Sequence, residues 1–152
     1  MLDLNKTAVD PKLVEAGTWW TVRIDSNGRV VGDHIGPELG PEHDGVAVMR
    51  IAPTGTSFDR AMEEERDRLY ASGEEKLTDQ QQQALMGRAL ACSVVRDWRN
   101  IAMNGERLEW SQENAARVLS MPEQQDLREY CYAAASNRKA VRQRQIRDDE
   151  GN

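Results

Sequence analysis

The residues that could support metal or acid–base chemistry are few and lie in one segment. Both histidines, His34 and His43, fall within residues 32–45, which also hold four glycines and four carboxylates. Imidazole and carboxylate groups are common zinc ligands, so this segment is the candidate for a metal site. Their spacing matches no ligand pattern, and a solvated acidic loop explains the same composition. We therefore predict that the protein binds no metal ion.

The remaining reactive groups show no catalytic arrangement. Cys92 and Cys131 are far apart in the sequence and lie among apolar or small residues, which predicts reduced thiols packed as small hydrophobic side chains. The sequence contains no phosphate-binding glycine loop, nucleophile elbow or zinc-protease motif. The acidic run at residues 63–65 fits an exposed helix face. We predict a protein that is not an enzyme and needs no cofactor.

The charge distribution limits the classes of partner. The chain has 152 residues, the size of one ordinary domain, and a net charge of -6, so a general affinity for nucleic acid is not expected. A basic cluster near the C-terminus is followed at once by acidic residues 148–150. We take Arg138, Lys139 and Arg142 as candidate protein-binding residues; an exposed helix face is the alternative. With no apolar run of membrane-spanning length and no signal pattern, a cytoplasmic protein is expected.

The N-terminal third has the alternation of β-strands. Trp20, Val22 and Ile24 alternate with polar or outward-facing positions, and residues 26–28 supply the Asn-Gly pair of a hairpin turn. Residues 29–31 form the predicted returning strand. After the loop at residues 32–45, the alternating segment 46–51 predicts a third strand.

Two adjacent tryptophans stand at the start of this region. In a strand, Trp19 and Trp20 point to opposite faces of the sheet, so one can lie in the core. The other is either exposed, where it would make a protein-binding anchor, or covered by another part of the chain. Both alternatives are left open, and both tryptophans are candidate binding residues.

Helical periodicity begins near residue 57. We predict helices over residues 57–71 and 79–102, the second with apolar residues at three- and four-residue spacing. Asn104 and Gly105 are predicted to end the second helix. Ser111 is a predicted N-cap, and Pro122 is predicted to open a last helix that runs to about residue 146. Trp98 is expected in the core, with Trp110 packed on the same cluster.

Together these elements predict an α+β fold. A small antiparallel β region of about three strands is followed by a bundle of about four helices. The predicted organisation is an N-terminal arm (1–17), a β region (18–56) that includes the Gly/Pro loop (32–45), a helical domain (57–147) and an acidic tail (148–152).

One long segment resembles a known family. Residues 94–101 (VVRDWRNI), 104–106 (NGE), 108–115 (LEWSQENA) and 119–122 (LSMP) are similar to the tail assembly chaperones of long-tailed phages of the siphophage type. The resemblance extends over roughly residues 84–135. Such proteins have a tryptophan-containing segment, an acidic-glycine turn, a short capped helix introduced by an aromatic residue, and a proline that opens the last helix.

The resemblance implies a function and partners. Such chaperones coat the tape measure protein, recruit tail tube subunits, act in the host cytoplasm and are absent from the mature virion; self-association is a further option. It also implies that the fold is fixed by the motif residues Trp98, Asn104, Gly105, Trp110, Ser111 and Pro122. Two alternatives are a virion structural or adaptor protein of the tail or head-tail junction, and a small nucleic-acid-binding regulator.

Overall fold

A computed structural model describes residues 1–3, 16–73 and 75–137 of the chain. It confirms the predicted α+β class: in the described residues, five antiparallel strands come first and four α-helices follow, with three further strands between the second and the third helix. The strands are β1 (Thr18–Thr21), β2 (Arg23–Ile24), β3 (Val30–Val31), β4 (His34–Gly36), β5 (Val48–Ile51), β6 (Val95–Arg99), β7 (Ala102–Met103) and β8 (Glu106–Arg107). The helices are α1 (Thr56–Ala71), α2 (Asp79–Ser93), α3 (Gln112–Ser120) and α4 (Gln125–Ser136).

Four of the strands form one antiparallel sheet in the order β4-β1-β5-β6. The paired residues Trp20, Met49 and Trp98 make a row across β1, β5 and β6, and all three are buried. Because successive residues of a strand face opposite sides, this row defines the inner face of the sheet. The helices cover that inner face, so sheet and helices share one hydrophobic core.

The predicted hairpin is confirmed in β2 and β3. Its turn is fixed by Asp25, whose carboxylate accepts the backbone N–H groups of Asn27 and Arg29 at 2.8 and 2.9 Å. Gly28 follows with φ 79°, a left-handed conformation that glycine adopts without strain. The arrangement is a turn closed by a left-handed glycine rather than a two-residue loop.

The histidine-bearing segment is not entirely a loop. Residues 34–36 form strand β4, which pairs with β1 and extends the sheet by one strand. A short 3-10 helix, Pro41–His43, follows in the same segment.

The helix predicted over residues 79–102 is wrong in its second half. The helix α2 begins as predicted, with a capping box between Thr78 and Gln81, but it ends at Ser93. Residues 95–99 form β6 instead, and the pairing with β5 shifts register so that Arg96 is an extra residue. This irregularity puts Val95 and Trp98 on the same face three positions apart, a spacing that imitates a helix.

Asn104 and Gly105 therefore do not end a helix. They form the two-residue loop of the β7–β8 hairpin, in which Met103 pairs with Glu106. Their φ angles, 53° and 81°, are both left-handed, as a tight hairpin of this type requires. The prediction that this pair makes a sharp turn holds, but the elements that it joins are strands.

The predicted caps of the last two helices are confirmed. The hydroxyl of Ser111 accepts the backbone N–H of Asn114 at 3.0 Å. Pro122 begins a 3-10 turn, Pro122–Gln124, which leads directly into α4. The helix α4 spans Gln125–Ser136, and the rest of the predicted last helix, residues 138–146, lies outside the described part of the chain.

Close packing of α2 against α3 depends on one glycine. A Cβ atom built on Gly87 would lie 2.0 Å from the backbone oxygen of Leu119, far inside contact distance. Gly87 therefore lets the end of α3 approach the backbone of α2.

Within the described residues, no helix is long and apolar enough to cross a membrane.

Candidate protein-binding site on the outer face of the sheet

Trp19 and Trp20 point to opposite faces of the sheet, as predicted, but neither is exposed. Trp20 is 6% exposed and lies in the main core, with its ring centroid 4.7 Å from that of His34. Trp19 is 4% exposed on the outer face. The expectation of an exposed aromatic anchor is therefore wrong, and the covered alternative is the one found.

Trp19 is covered by apolar residues and by two arginines. Ile35, Leu39 and Val48 form a small second cluster with it on the outer face. The guanidinium carbons of Arg50 and Arg99 lie 5.6 and 5.3 Å from the centroid of its ring. Both distances are within the range of cation–π attraction. We call Trp19, Arg50 and Arg99 the Trp19–arginine site.

The strand register explains why these three residues meet. Arg50 is the paired neighbour of Trp19 across β1 and β5, so both lie on the outer face. Arg99 pairs with Val48 and shares that face. A strand thus supplies each member of the site, and the loop that carries Leu39 closes over it.

The arginines of this site have no anionic partner among the described residues. In the described part of the chain, Glu65 forms ion pairs with Arg68 and Arg88, and the carboxylate of Glu42 lies 3.5 Å from the ring of His43. The Nε–H group of Arg50 is buried without an acceptor. Its paired neighbour in β6 is Asp97, but the Oδ1 atom of Asp97 accepts the backbone N–H of Trp98 at 2.8 Å.

A shallow cavity of about 280 Å³ lies beside this site, where β6 ends. Its lining includes Arg99, Arg107 and Glu109, together with Trp98 and Trp110. Trp98 donates its indole N–H to the backbone oxygen of Leu108 at 2.7 Å. The indole N–H of Trp110 is buried and has no acceptor among the described residues.

The two histidines do not come together. The Nε2 atom of His34 lies 2.9 Å from the hydroxyl of Thr18, which is buried in strand β1. His43 lies on the 3-10 helix, 3.5 Å from the carboxylate of Glu42. No group of three metal-binding side chains occurs in the residues that the structure describes.

The cysteines are both free, but only one is packed as predicted. Cys131 is fully buried in the main core, and burial raises the pKa of its thiol to about 12. Cys92 is exposed on α2, so the prediction of a buried thiol is wrong there. Cys92 is exposed because it lies on the solvent side of α2, whereas its neighbours Ala91 and Ser93 are buried.

Arg128 has a structural role that the sequence did not suggest. It is 1% exposed, and its Nη1 group donates to the backbone oxygens of Leu119 and Met121 at 2.8 and 3.1 Å. These carbonyls belong to the end of α3, where the helix dipole favours a cation. Burial lowers the pKa of Arg128. Arg128 lies three residues before Cys131 on the buried stripe of α4, and this spacing could have predicted its burial from the sequence.

The predicted motif residues act as a scaffold. Trp98 is buried in the core and Trp110 packs against it, as predicted. Ser111, Pro122 and the Asn104–Gly105 turn define ends of elements.

Arg138, Lys139 and Arg142 lie outside the described residues, and their role stays a prediction. Arg50 and Arg99 were missed, although Arg50 alternates with buried Met49 and Ile51 and so had to face outward with Trp19.

Comparison with known proteins identifies a family. The model of the family described as "YdaY prophage protein" matches residues 54–152, which is more than half of the chain. The chain therefore belongs to this family. No curated protein and no solved structure shows significant similarity to it.

Proposed function

We propose that this YdaY-family prophage protein is a tail assembly chaperone without enzymatic activity. In this role it binds the tape measure protein and recruits tail tube subunits in the host cytoplasm, and it is released before the virion is complete. The observation that carries the proposal is the overlap of two similarities. The family match over residues 54–152 contains the whole segment, residues 94–122, that resembles such chaperones.

The structure of this segment supports a binding role rather than a reactive one. Trp98 and Trp110 fix β6 and the following turn to the core, and Ser111 starts α3. The resulting body is rigid where the segment lies, so that neighbouring surface residues are held in place. The net charge of -6 favours solubility, which a protein that handles aggregation-prone partners needs.

The side chains with reactive chemistry support the non-enzymatic part of the proposal. His34 is engaged with Thr18 and with the ring of Trp20. Cys131 is buried and holds its proton because its pKa is raised. These groups stabilise the fold in the described residues, and a structural role accounts for both.

Co-expression tests the proposal directly. The tagged full-length chain is produced with the tape measure protein and the tail tube protein of the same prophage, and complexes are isolated by affinity and size-exclusion chromatography. We expect the tape measure protein to co-purify and to stay soluble only in the presence of the chaperone. The tube protein of an unrelated phage is the control. If neither partner co-purifies, the proposal is wrong.

Mass spectrometry of purified particles separates the chaperone from a virion protein. An assembly chaperone is absent from the finished particle, whereas a structural or adaptor protein is present in fixed stoichiometry. Detection at a constant copy number per particle would replace the chaperone proposal by the adaptor alternative.

A further inference from the structure

We propose that the Trp19–arginine site binds an acidic segment of a partner protein, through carboxylates that pair with Arg50 and Arg99. This inference deepens the proposed function and rests on it only for the partner being a protein. It concerns the outer face of the sheet, on the side opposite the helices.

The first argument is electrostatic. Two guanidinium groups lie over a single indole ring, at 5.6 and 5.3 Å from its centroid, and no described carboxylate forms an ion pair with either of them. Like charges held at one ring repel each other, and an anion between or beside them removes that repulsion. The site is thus complementary to negative charge.

The second argument is the hydrogen-bonding capacity that is left unused. A guanidinium group has five N–H donors in a planar fork that matches a carboxylate. Neither the Arg50 nor the Arg99 guanidinium group donates a hydrogen bond to a described residue, and the Nε–H group of Arg50 is buried without an acceptor among these residues. A bound carboxylate supplies acceptors that the described fold does not.

The third argument is that the site is held in place before any partner arrives. Trp19 is 4% exposed and packed against Ile35, Leu39 and Val48, so its ring cannot swing away. Stacking on this fixed ring restricts both guanidinium groups. Less conformational entropy is then lost on binding, as is usual for preorganised sites.

A protein is the occupant that the charge of the chain favours. A net charge of -6 repels the continuous phosphate backbone of a nucleic acid, whose binders neutralise several phosphates at once. A short acidic segment needs only the local positive charge of two arginines. Nucleic acid is therefore the competing outcome of the test.

The test titrates the full-length chain with a fluorescein-labelled peptide of alternating glutamate and serine, measured by fluorescence anisotropy at low salt. The site variant carries Arg50→Gln and Arg99→Gln. The control variant carries Arg60→Gln and Arg66→Gln on exposed positions of α1, which changes the net charge equally. We expect the site variant to bind about tenfold more weakly, and the control to bind within about twofold of the unmodified chain.

Three results would overturn the inference: no binding of the peptide to the unmodified chain, equal loss in both variants, or tighter binding of a thymidine oligonucleotide than of the peptide. If the site variant does not fold, an NMR titration of the unmodified chain tests the inference instead. The indole N–H resonance of Trp19, assigned by its loss in Trp19→Phe, must shift when the peptide is added. Shifts confined to the other tryptophans would refute the site. Because the titration uses no phage partner protein, a negative result would refute this site without bearing on the proposed chaperone function, which the co-purification experiment tests separately.

Discussion

Substitution of Gly87 by alanine tests the packing that joins α2 to α3. The added Cβ would lie 2.0 Å from the oxygen and 2.4 Å from the carbon of the Leu119 backbone. Ordinary contact begins near 3.4 Å, so the two helices must separate by more than about 1 Å. The Leu119 oxygen cannot turn away freely, because it accepts a hydrogen bond from Arg128 at 2.8 Å.

The expected magnitude follows from opposing effects. Alanine in a helix interior is favoured over glycine by about 1 kcal/mol. Overpacking against backbone atoms costs about 1–3 kcal/mol, and loss of the Arg128 hydrogen bond to a buried carbonyl adds about 1–3 kcal/mol. We expect Gly87→Ala to lower the free energy of unfolding by about 3 kcal/mol, and Tm by about 6–12 °C.

Urea denaturation followed by circular dichroism measures this change. Gly55→Ala is the control for an added methyl group without overlap, because a Cβ at Gly55 meets nothing within 4 Å. Gly55 is the N-cap of α1, where alanine is less favoured than glycine, so this substitution should cost about 1 kcal/mol, well below the loss expected at Gly87. A Gly87→Ala protein as stable as the unmodified chain would show that α2 and α3 do not approach as closely as described.

Four further predictions concern single residues. Tyr130 donates its hydroxyl to the backbone oxygen of Thr21 at 2.6 Å, so Tyr130→Phe should lower the free energy of unfolding by about 1 kcal/mol in urea. Burial raises the pKa of Cys131 from 9.0 to about 12, so the folded chain keeps this proton at pH values where the unfolded chain loses it. The contribution of Cys131 to the free energy of unfolding is therefore fully present below pH about 9 and falls as the pH rises above it. Urea midpoints measured up to pH about 10.5 should decline less in Cys131→Ala than in the unmodified chain. A thiol reagent at neutral pH should modify only Cys92 in the folded chain and both cysteines in urea. Asn104 has φ 53°, so Asn104→Ala should cost about 1 kcal/mol, whereas Asn104→Gly should not; equal losses would contradict the left-handed turn.

Local signals predicted the elements that depend on local physics. The predicted turn at residues 26–28, the start of α2 and the Ser111 cap each depend on residues within a few positions of one another. Alternation in residues 46–51 predicted β5 because its inner face is buried and its outer face carries Arg50. The turn and the helix starts follow from the sequence because no distant part of the chain is needed to form them, and β5 follows because its alternation is itself a local pattern.

The errors arose where distant pairing decides the structure. Val95 and Trp98 both face the core because Arg96 is an extra residue opposite β5, and their spacing of three positions then imitates a helix. The residues of β5 that impose this register lie more than 40 positions earlier in the chain (95 − 51 = 44). The burial of Trp19 likewise depends on Leu39 and on arginines from two other strands.

The long connection between β5 and β6 has a consequence for how the chain folds as it is synthesised. Strand β5 pairs with β1 on one side, but its other partner follows only after α1 and α2. During translation β5 is therefore an open edge until residues 95–99 have left the ribosome. Such edges pair readily with other chains, and contacts over long sequence separations form slowly. Nascent chains should be most prone to aggregate when translation stops between α1 and β6.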